Sequence, residues 1–235
     1  SYGGFMIDKA IKKYKPDIYI GDEDVWAFSS YTKKPWWDKI NSMIWTTLDS
    51  LPILPDALKI APKVKNYYVW SSFAEKALHE EGHKHVKTLH GSLYCENFKK
   101  LGHAERLELR KLFNIEEESF VVGFVFRNQL RKSVPNLLEG FKLFKNKHKQ
   151  SNAKLLLHTH WSEGWDIPRL IKEKGIDPLD VLCTYYCKNC KKYEVKSFYG
   201  QKQNCRFCGA KESQNTVTIS DGVTEDQLNE VYNLM

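Results

Sequence analysis

The sequence predicts an α/β protein with parallel sheets, on two observations. Short apolar runs of strand length alternate with segments whose apolar residues recur at helical spacing, and this alternation is typical of βαβ units. Several of the runs are apolar at almost every position, as expected for strands buried on both faces. The predicted strands are 18–21, 43–48, 67–70, 86–89, 120–126, 154–160 and 216–220.

Helices are predicted between these strands, and several carry recognisable start or stop signals. Ser71 and Ser72 begin one helix and Gly82 ends it, Gly175 ends another, and Thr224 caps the last. The predicted helices end at 15 or span about 52–60, 73–81, 104–112, 133–144, 167–174 and 224–232.

The clearest unit is the stretch 119–145. Its run 120–126 predicts an inner strand of a parallel sheet. Ser133 is the predicted N-cap of the next helix, with Pro135 in the first turn. Leu138 and Phe141 belong to the apolar face of that helix.

Three cations follow the predicted strand: Arg127, Arg131 and Lys132. Open α/β sheets bind ligands at the carboxyl edge of their strands, so one interpretation is a phosphate or diphosphate site. A solvated basic loop is the other interpretation, and the residues alone leave both open. His158 and His160 end the neighbouring predicted strand and are candidate ligand contacts, although packed or solvated histidines are the simpler explanation.

Composition favours an anionic partner. The 235 residues include 36 Lys and Arg against 29 Asp and Glu, a net charge of +7. A nucleotide, a nucleic acid or a membrane surface would each suit that charge, through peripheral contact with the basic surface. No apolar run approaches the roughly 20 residues of a membrane span, and no signal peptide is visible, so we expect a cytoplasmic protein. The chain does not begin with Met, which suggests a trimmed chain or a fragment.

Four of the six cysteines form two CxxC pairs, Cys187 with Cys190 and Cys205 with Cys208, fourteen residues apart. This spacing predicts a zinc ribbon at about 183–212, with a small hairpin between the pairs. Four cysteines leave no open coordination position, so the zinc is expected to be structural. A redox motif or paired disulfides are the alternatives. Cys95 and Cys183 are predicted to be ordinary buried residues.

The ribbon also carries many lysines interleaved with aromatic residues, a combination that can hold nucleic acid. The alternative is an insertion whose metal only stabilises the fold. Separately, the segment 79–83 matches the HExxH motif of zinc proteases. We reject that reading because Glu81 is charged, no third ligand follows, and Gly82 explains the end of an ordinary helix, which leaves His79 and His83 at the surface.

In this order the motifs resemble the retaining GT-B glycosyltransferases of the large family four group. The resemblance covers most of the chain outside the ribbon, and the Arg127, Arg131 and Lys132 element is its most specific part. The matching residues are Lys15-Pro16-Asp17-Ile18, Asp49-Ser50-Leu51-Pro52, Val69-Trp70-Ser71-Ser72-Phe73, Leu78, Gly82, His90-Gly91, Phe98, Phe126-Arg127-Asn128, Arg131-Lys132, Pro135, Leu138 and 155–160.

The resemblance implies two Rossmann-like domains, an acceptor-side domain at 1–96 and a donor domain at 97–235 that carries the ribbon. A UDP-, GDP- or ADP-linked sugar would lie in the cleft, and no catalytic metal is expected. By the same resemblance, Arg127 and Lys132 hold the donor diphosphate, Arg131 orients the loop, and Asn128 and His160 contact substrate. Asp49 would contact the acceptor, whose chemical nature is open.

Three features depart from the family pattern. The first strand with its glycine-rich loop, and the acidic donor-sugar motif, are not found in the sequence, which favours a fragment. The ribbon is an insertion that the family does not generally carry. Two hypotheses therefore remain: a glycosyltransferase or part of one, and a zinc-ribbon module that binds nucleic acid on an α/β scaffold.

Overall fold

The computed structural model describes residues 3–92, 95–149 and 151–235. It contains two compact units, Ser1–Leu93 and Tyr94–Met235, whereas the sequence placed a domain boundary after residue 96. Both units combine helices with sheets that contain parallel strands, so the α/β prediction is confirmed. Within the described ranges, no helix is both long and apolar enough to cross a bilayer.

The first unit is built on one four-stranded parallel sheet whose strand order follows the chain. Its strands are β1 (Ile18–Asp22), β2 (Asn41–Thr46), β3 (Asn66–Val69) and β4 (Lys87–Thr88). Its helices are α1 (Ile7–Tyr14), α2 (Pro55–Ile60) and α3 (Ser72–Glu80), with short 3-10 turns at Val25–Ser29, Tyr31–Lys33 and Ala61–Lys63.

Helix α3 lies within one residue of its predicted bounds, 73–81, at both ends. The Ser71 hydroxyl accepts a hydrogen bond from Ala74 N at 3.3 Å, and Gly82 leaves the helix with φ +91°. Side-chain-free glycine adopts this backbone region at little cost. In the rejected protease motif, His79 Nε2 lies 2.8 Å from Val86 O, so this histidine bonds to the main chain. Both His79 and His83 are half-buried, a correction to their predicted exposure.

The second unit contains a six-stranded mixed sheet. Its strands are β5 (Phe120–Val125), β6 (Ala153–His158), β7 (Val181–Cys187), β8 (Tyr193–Ser197), β9 (Lys202–Gln203) and β10 (Gln214–Thr216). Its helices are α4 (His103–Leu112), α5 (Val134–Lys147), α6 (Ile167–Lys174) and α7 (Glu225–Asn233), with 3-10 turns at Leu130–Lys132 and Pro178–Asp180. Strands β5, β6 and β7 are parallel, β8 and β10 run antiparallel to β7, and β9 pairs with β10.

Strand β5 is not an inner strand, contrary to the prediction. Within the described residues it pairs only with β6, and Phe120 is 57% exposed. An apolar run indicates that both faces of a strand are buried, but it does not show how many strands pair with it. Side chains that pack on the faces can bury them at an edge strand as well. Here Met235 packs against Gly123, where a Cβ atom would lie 1.8 Å from the Met235 sulfur.

The start of α5 also differs from the prediction. Ser133 adopts a left-handed conformation, φ +49° and ψ +48°, and its side chain caps nothing. Its carbonyl oxygen accepts hydrogen bonds from Asn136 N and Leu137 N. The main chain, and not the predicted Ser133 hydroxyl, therefore caps the first N–H groups of the helix. The last predicted strand, 216–220, is instead β10, which ends at Thr216.

Buried Arg110 ties α4 to the end of α7. Its guanidinium donates to the carbonyl oxygens of Glu116, Glu117, Ser119 and Leu234 at 2.9–3.2 Å. The bonds to Ser119 O and Leu234 O are buried, and a charged donor to a buried carbonyl oxygen is worth more than an ordinary hydrogen bond.

We expect Arg110→Leu to lower the free energy of unfolding by about 3 kcal/mol, because it removes the charged donor from the buried Ser119 and Leu234 carbonyl oxygens. Denaturant unfolding would measure the change. The control is Lys111→Ala, since Lys111 is exposed and pairs with exposed Glu108 at 2.7 Å. An Arg110 variant as stable as the control would contradict this role.

Candidate ligand cleft and metal centre

The four ribbon cysteines converge on one point. Cys187 ends β7, Cys190 lies in the next turn, and Cys205 and Cys208 lie in a second turn before β10. Their sulfur atoms all lie within 4.8 Å of one another. Left-handed Lys191, φ +60°, and Gly209, φ +70°, follow the two CxxC turns.

The sulfur spacing fits a tetrahedral metal ion. Cys187 and Cys208 sulfurs are 3.9 Å apart, and Cys190 and Cys205 sulfurs are 3.7 Å apart. An ion with sulfur bonds of about 2.3 Å separates its ligands by about 3.8 Å. A disulfide would require about 2.05 Å, so the four ribbon cysteines are not joined in pairs, and the predicted alternative of paired disulfides does not apply to them. The four cysteines could therefore hold a metal ion.

Hydrogen bonds favour the thiolate at Cys208, whereas burial raises the pKa of Cys190 to about 11. Asn189 Nδ2 donates to the Cys208 sulfur at 3.4 Å, and this bond together with the Ala210 N–H lowers the pKa of Cys208. Ser213 Oγ lies 3.2 Å from the Cys187 sulfur. Thiolate, not thiol, is the metal ligand, so these contacts prepare the site for a cation.

The ribbon is an extension of the main sheet and not a separate hairpin. The segment between the CxxC pairs was predicted to fold on itself, but β8 pairs with β7 and β9 pairs with β10. The two ends of β7 have different neighbours on the β6 side: Leu182 pairs with Leu156 of β6, and Tyr186 with Asn215 of β10. Of the two remaining cysteines, Cys183 is buried as predicted, whereas Cys95 is exposed.

A cavity of about 290 Å³ lies at the carboxyl ends of β5 and β6. Two of the predicted site residues, Arg127 and His160, line it. The other lining residues are Val125, Phe126, His158, Thr159, Glu163, Val217, Thr218 and Ile219. We call this cavity the cleft; it has apolar side chains along much of its wall and an arginine at its edge.

Arg127 is held by a carboxylate that the sequence analysis missed. Its Nη2 and Nε atoms lie 2.8 and 3.2 Å from one oxygen of Glu163, in the loop after β6. Both side chains are substantially exposed, at 51% and 38%, so the pair contributes at most about 1 kcal/mol. Glu163 follows a predicted strand and precedes a glycine, which is the only signal the sequence offered.

Asn128 fastens the loops after β5 and β6 together. Its amide nitrogen donates to His160 O at 2.9 Å and Trp165 O at 2.8 Å, and its oxygen accepts from Trp165 N at 2.9 Å. Gly164 lies against the same place, where a Cβ atom would be 2.5 Å from Asn128 O. Asn128 is 1% exposed, and its side chain joins the two loops by hydrogen bonds. Its contact with phosphate stays a prediction.

The remaining predicted residues lie outside the cleft wall. Arg131 is exposed and Lys132 half-buried in the 3-10 turn before α5, and no described residue forms an ion pair with either. Asp49 is exposed beyond the end of β2 in the first unit. The structure thus brings Arg127 and His160 together and leaves the roles of the others as predictions.

His158 is neutral near pH 7. Burial lowers its pKa to about 4, and its Nδ1 atom lies 3.2 Å from Thr184 Oγ1. Beside it, the buried Thr159 hydroxyl has no hydrogen-bond partner among the described residues. The inner wall of the cleft therefore offers uncharged polar groups, while the charge lies at the rim with Arg127.

Three of the seven Lys and Arg residues of the ribbon form ion pairs with nearby carboxylates. Glu194, whose side chain is only 7% exposed, pairs with Lys196 at 2.8 Å and Arg206 at 3.0 Å, and Lys188 pairs with Asp221 at 2.7 Å. Of its aromatic residues, Tyr193 is buried, whereas Tyr199 is 64% exposed. Fewer cations and aromatic faces are available to a nucleic acid than the sequence suggested.

Comparison with models of known protein families and with curated proteins finds no match for this chain. The geometry alone therefore defines the candidate sites: a four-cysteine metal centre and, close by along the sheet, a cleft with an arginine at its rim.

We expect about one metal ion per chain in freshly purified protein, because four thiolates at this spacing complete a tetrahedral shell. Elemental analysis would measure it. Cys205→Ser should lose most of the metal, whereas Cys95→Ser, a cysteine outside the cluster, should retain it. Metal-free protein with four reduced cysteines would contradict the assignment.

We expect His158 to destabilise the fold in acid. Between about pH 4 and 6.5 the unfolded chain binds a proton that the folded chain excludes, so the free energy of unfolding falls as pH decreases through this window. The loss should reach up to about 3 kcal/mol at pH 4. His158→Gln should remove this component from unfolding curves measured at several pH values. Exposed His103→Gln is the control, and equal pH profiles for both variants would contradict the prediction.

Proposed function

We propose that the protein is a glycosyltransferase, or part of one, of the retaining GT-B type, built from Rossmann-like domains. Its donor would be a sugar linked to UDP, GDP or ADP. The single observation that carries the proposal is Arg127 at the rim of a cleft formed at the carboxyl ends of parallel strands. Ligands of open α/β sheets bind at that edge.

The diphosphate would depend on side chains more than on helix ends. Near the start of α5, Pro135 has no N–H, and the Asn136 and Leu137 N–H groups donate to Ser133 O. At the start of α6, Ile167 N donates to Trp161 O and Arg169 N to Asp166. Because these donors are occupied, side chains must supply most of the attraction for a diphosphate. Arg127 lines the cleft, whereas Lys132 does not, and its part rests on the resemblance alone.

This arrangement suits the chemistry of sugar transfer. Negative charge grows on the nucleoside diphosphate as the glycosidic bond breaks, and fixed cations beside it stabilise the transition state without a catalytic metal. Arg127 would first exchange Glu163 for the diphosphate. The apolar part of the cleft wall and the neutral His158 suit the less charged part of a nucleotide. Asp49 stays the predicted acceptor contact.

We further propose that the metal is zinc with a structural role. Thiolate ligands and tetrahedral geometry select zinc among the common divalent ions, and four cysteines leave no position for a substrate. The alternative function, nucleic-acid binding by the ribbon, is less favoured, because three of its cations are paired with carboxylates. Salt-dependent affinity for single strands, lost when ribbon lysines are changed, would revive it.

We expect Arg127→Ala and Lys132→Ala each to weaken the binding of UDP or GDP by about tenfold, since each removes a charge-assisted contact. Isothermal titration calorimetry of the folded variants would measure the affinities. Arg169→Ala is the matched control: this exposed arginine belongs to the same unit but pairs with Glu173 at 2.6 Å.

Glu163→Gln tests the same site through a substitution that is expected to raise the affinity for a nucleoside diphosphate. It removes the carboxylate that competes for Arg127, so it should tighten nucleoside-diphosphate binding by up to about fivefold. If affinity is unchanged in Arg127→Ala, Lys132→Ala and Glu163→Gln alike, the diphosphate site is elsewhere.

A further inference from the structure

The ribbon contacts the loop that carries the partner of Arg127. Phe198, which follows β8, stacks on buried Trp161 with ring centroids 4.5 Å apart and planes at 3°. Gln201 Nε2 donates to Ser162 Oγ at 2.8 Å. Trp161 and Ser162 directly precede Glu163, so the ribbon holds the start of the loop 161–166, which we call the β6 loop.

The metal centre is also connected to the opposite wall of the cleft. Gln214, the first residue of β10, places its side-chain nitrogen 3.8 Å from the Cys205 sulfur, and Ser213 contacts Cys187. Strand β10 then runs along β7, and Val217 N donates to Thr184 O at 3.3 Å. Val217 and the following Thr218 line the cleft. Only a few residues separate the sulfur cluster from this wall.

Gln201 joins the two walls. Its nitrogen reaches Ser162 of the β6 loop, while its oxygen accepts a hydrogen bond from Thr216 Oγ1 at 2.7 Å. Both ends of one side chain are therefore engaged, one on each wall. The backbone around it is fixed by Tyr185, whose hydroxyl donates to Gly200 O at 2.7 Å and accepts from Tyr199 N at 3.1 Å.

The ribbon also encloses space of its own beside the cleft. A second cavity of about 290 Å³ has walls from the ribbon, β10 and the β6 loop, and it shares His160 and Thr218 with the cleft. Gln201, Lys202 and Asn215 line it. The two cavities are therefore adjoining parts of one depression, and the ribbon forms part of its lining.

We propose that the bound metal holds the cleft in shape through the ribbon, with Gln201 as the positioning residue that joins the two walls. Metal binding and ligand binding are then linked: each strengthens the other. The structural part of this inference stands on the contacts above; the part that concerns a nucleotide rests on the proposed function. Gln201 touches neither the sulfurs nor Arg127, so it acts through Ser162 and Thr216.

The linkage has a physical reason: in a small ribbon, the bonds from cysteines to a metal ion supply stability that a larger domain obtains from its hydrophobic core. Without the ion, four thiolates would repel one another or take up protons, and the turns that carry them would lose the bonds that join them. The segment 213–216 and the ribbon loop 198–203 would then sample more conformations. A ligand that contacts both walls would then have to order them on binding, and its affinity would fall. The difference in binding free energy with and without the metal is the coupling free energy.

Hydrogen exchange of the full chain tests the structural part. With the metal removed by a chelator under reducing conditions, the amides of Val217 and Trp165 should exchange at least about tenfold faster, while the amide of Phe141 in α5 should change little. Unchanged exchange at Val217 and Trp165 would overturn the proposal. If Phe141 also loses protection, the unit has unfolded, and the following variant decides.

Gln201→Ala keeps all four cysteines and should retain the metal. We expect it to speed exchange at Trp165 and Val217 severalfold. Gln203→Ala is the matched control, because among the described residues its side chain donates to Tyr199 O, which lies within the ribbon, at 2.7 Å. Equal exchange in the two variants would overturn the role of Gln201.

The linkage itself is measured with UDP and GDP as probes. Metal removal and Gln201→Ala should each weaken their binding by about tenfold, and either nucleotide should slow metal transfer to a chromogenic chelator. If exchange responds as expected but neither nucleotide binds any form, the proposed function fails and the structural inference stands. If nucleotides bind equally with and without metal, the linkage fails while the proposed function stands.

Discussion

Strand β7 is the constraint on which the second unit depends. All seven of its residues are buried, and it has partners along both edges. Its first residues complete the parallel sheet beside β6, while its last residues pair with β10 and end at Cys187 of the four-cysteine cluster. A shift of one residue would turn every side chain of the strand to the opposite face. The same register therefore sets both the carboxyl edge of the sheet and the sulfur cluster.

The β6 loop shows how few residues transmit this constraint to the cleft. Ser162 contacts the ribbon and Glu163 contacts Arg127. Trp165 N donates to the Asn128 side-chain oxygen, and Trp165 O accepts from the Asn128 side-chain nitrogen. Neighbouring residues point in different directions, so each can serve a separate partner. The small residue Gly164 lets the loop lie against the main chain of Asn128, where a larger side chain would collide with a carbonyl oxygen.

Sequence reasoning succeeded where one local pattern has one physical solution. Two CxxC turns can bring four sulfurs together whichever strands the turns connect. Gly82 ends helix α3 because it adopts the positive φ of a helix C-terminus. It failed where several arrangements satisfy the same pattern. The apolar residues of β5 describe an edge strand as well as an inner one, and nothing in the segment between the CxxC pairs specifies β7 as the partner of β8. Glu163 was missed because a carboxylate in a loop is usually solvated, and its partner is 36 residues away.

The contacts of the β6 loop also differ in strength, and that difference bears on how an anion would enter. Asn128 makes three hydrogen bonds in a buried place, where losing one leaves a polar group unsatisfied at a cost of about 1–3 kcal/mol. The Arg127–Glu163 pair is exposed and worth at most about 1 kcal/mol. Under the proposed function, an incoming diphosphate would therefore break the weakest contact first and leave the loop in place. Release of the arginine needs only a side-chain movement of Glu163, because Asn128 and the ribbon hold the backbone on either side of it.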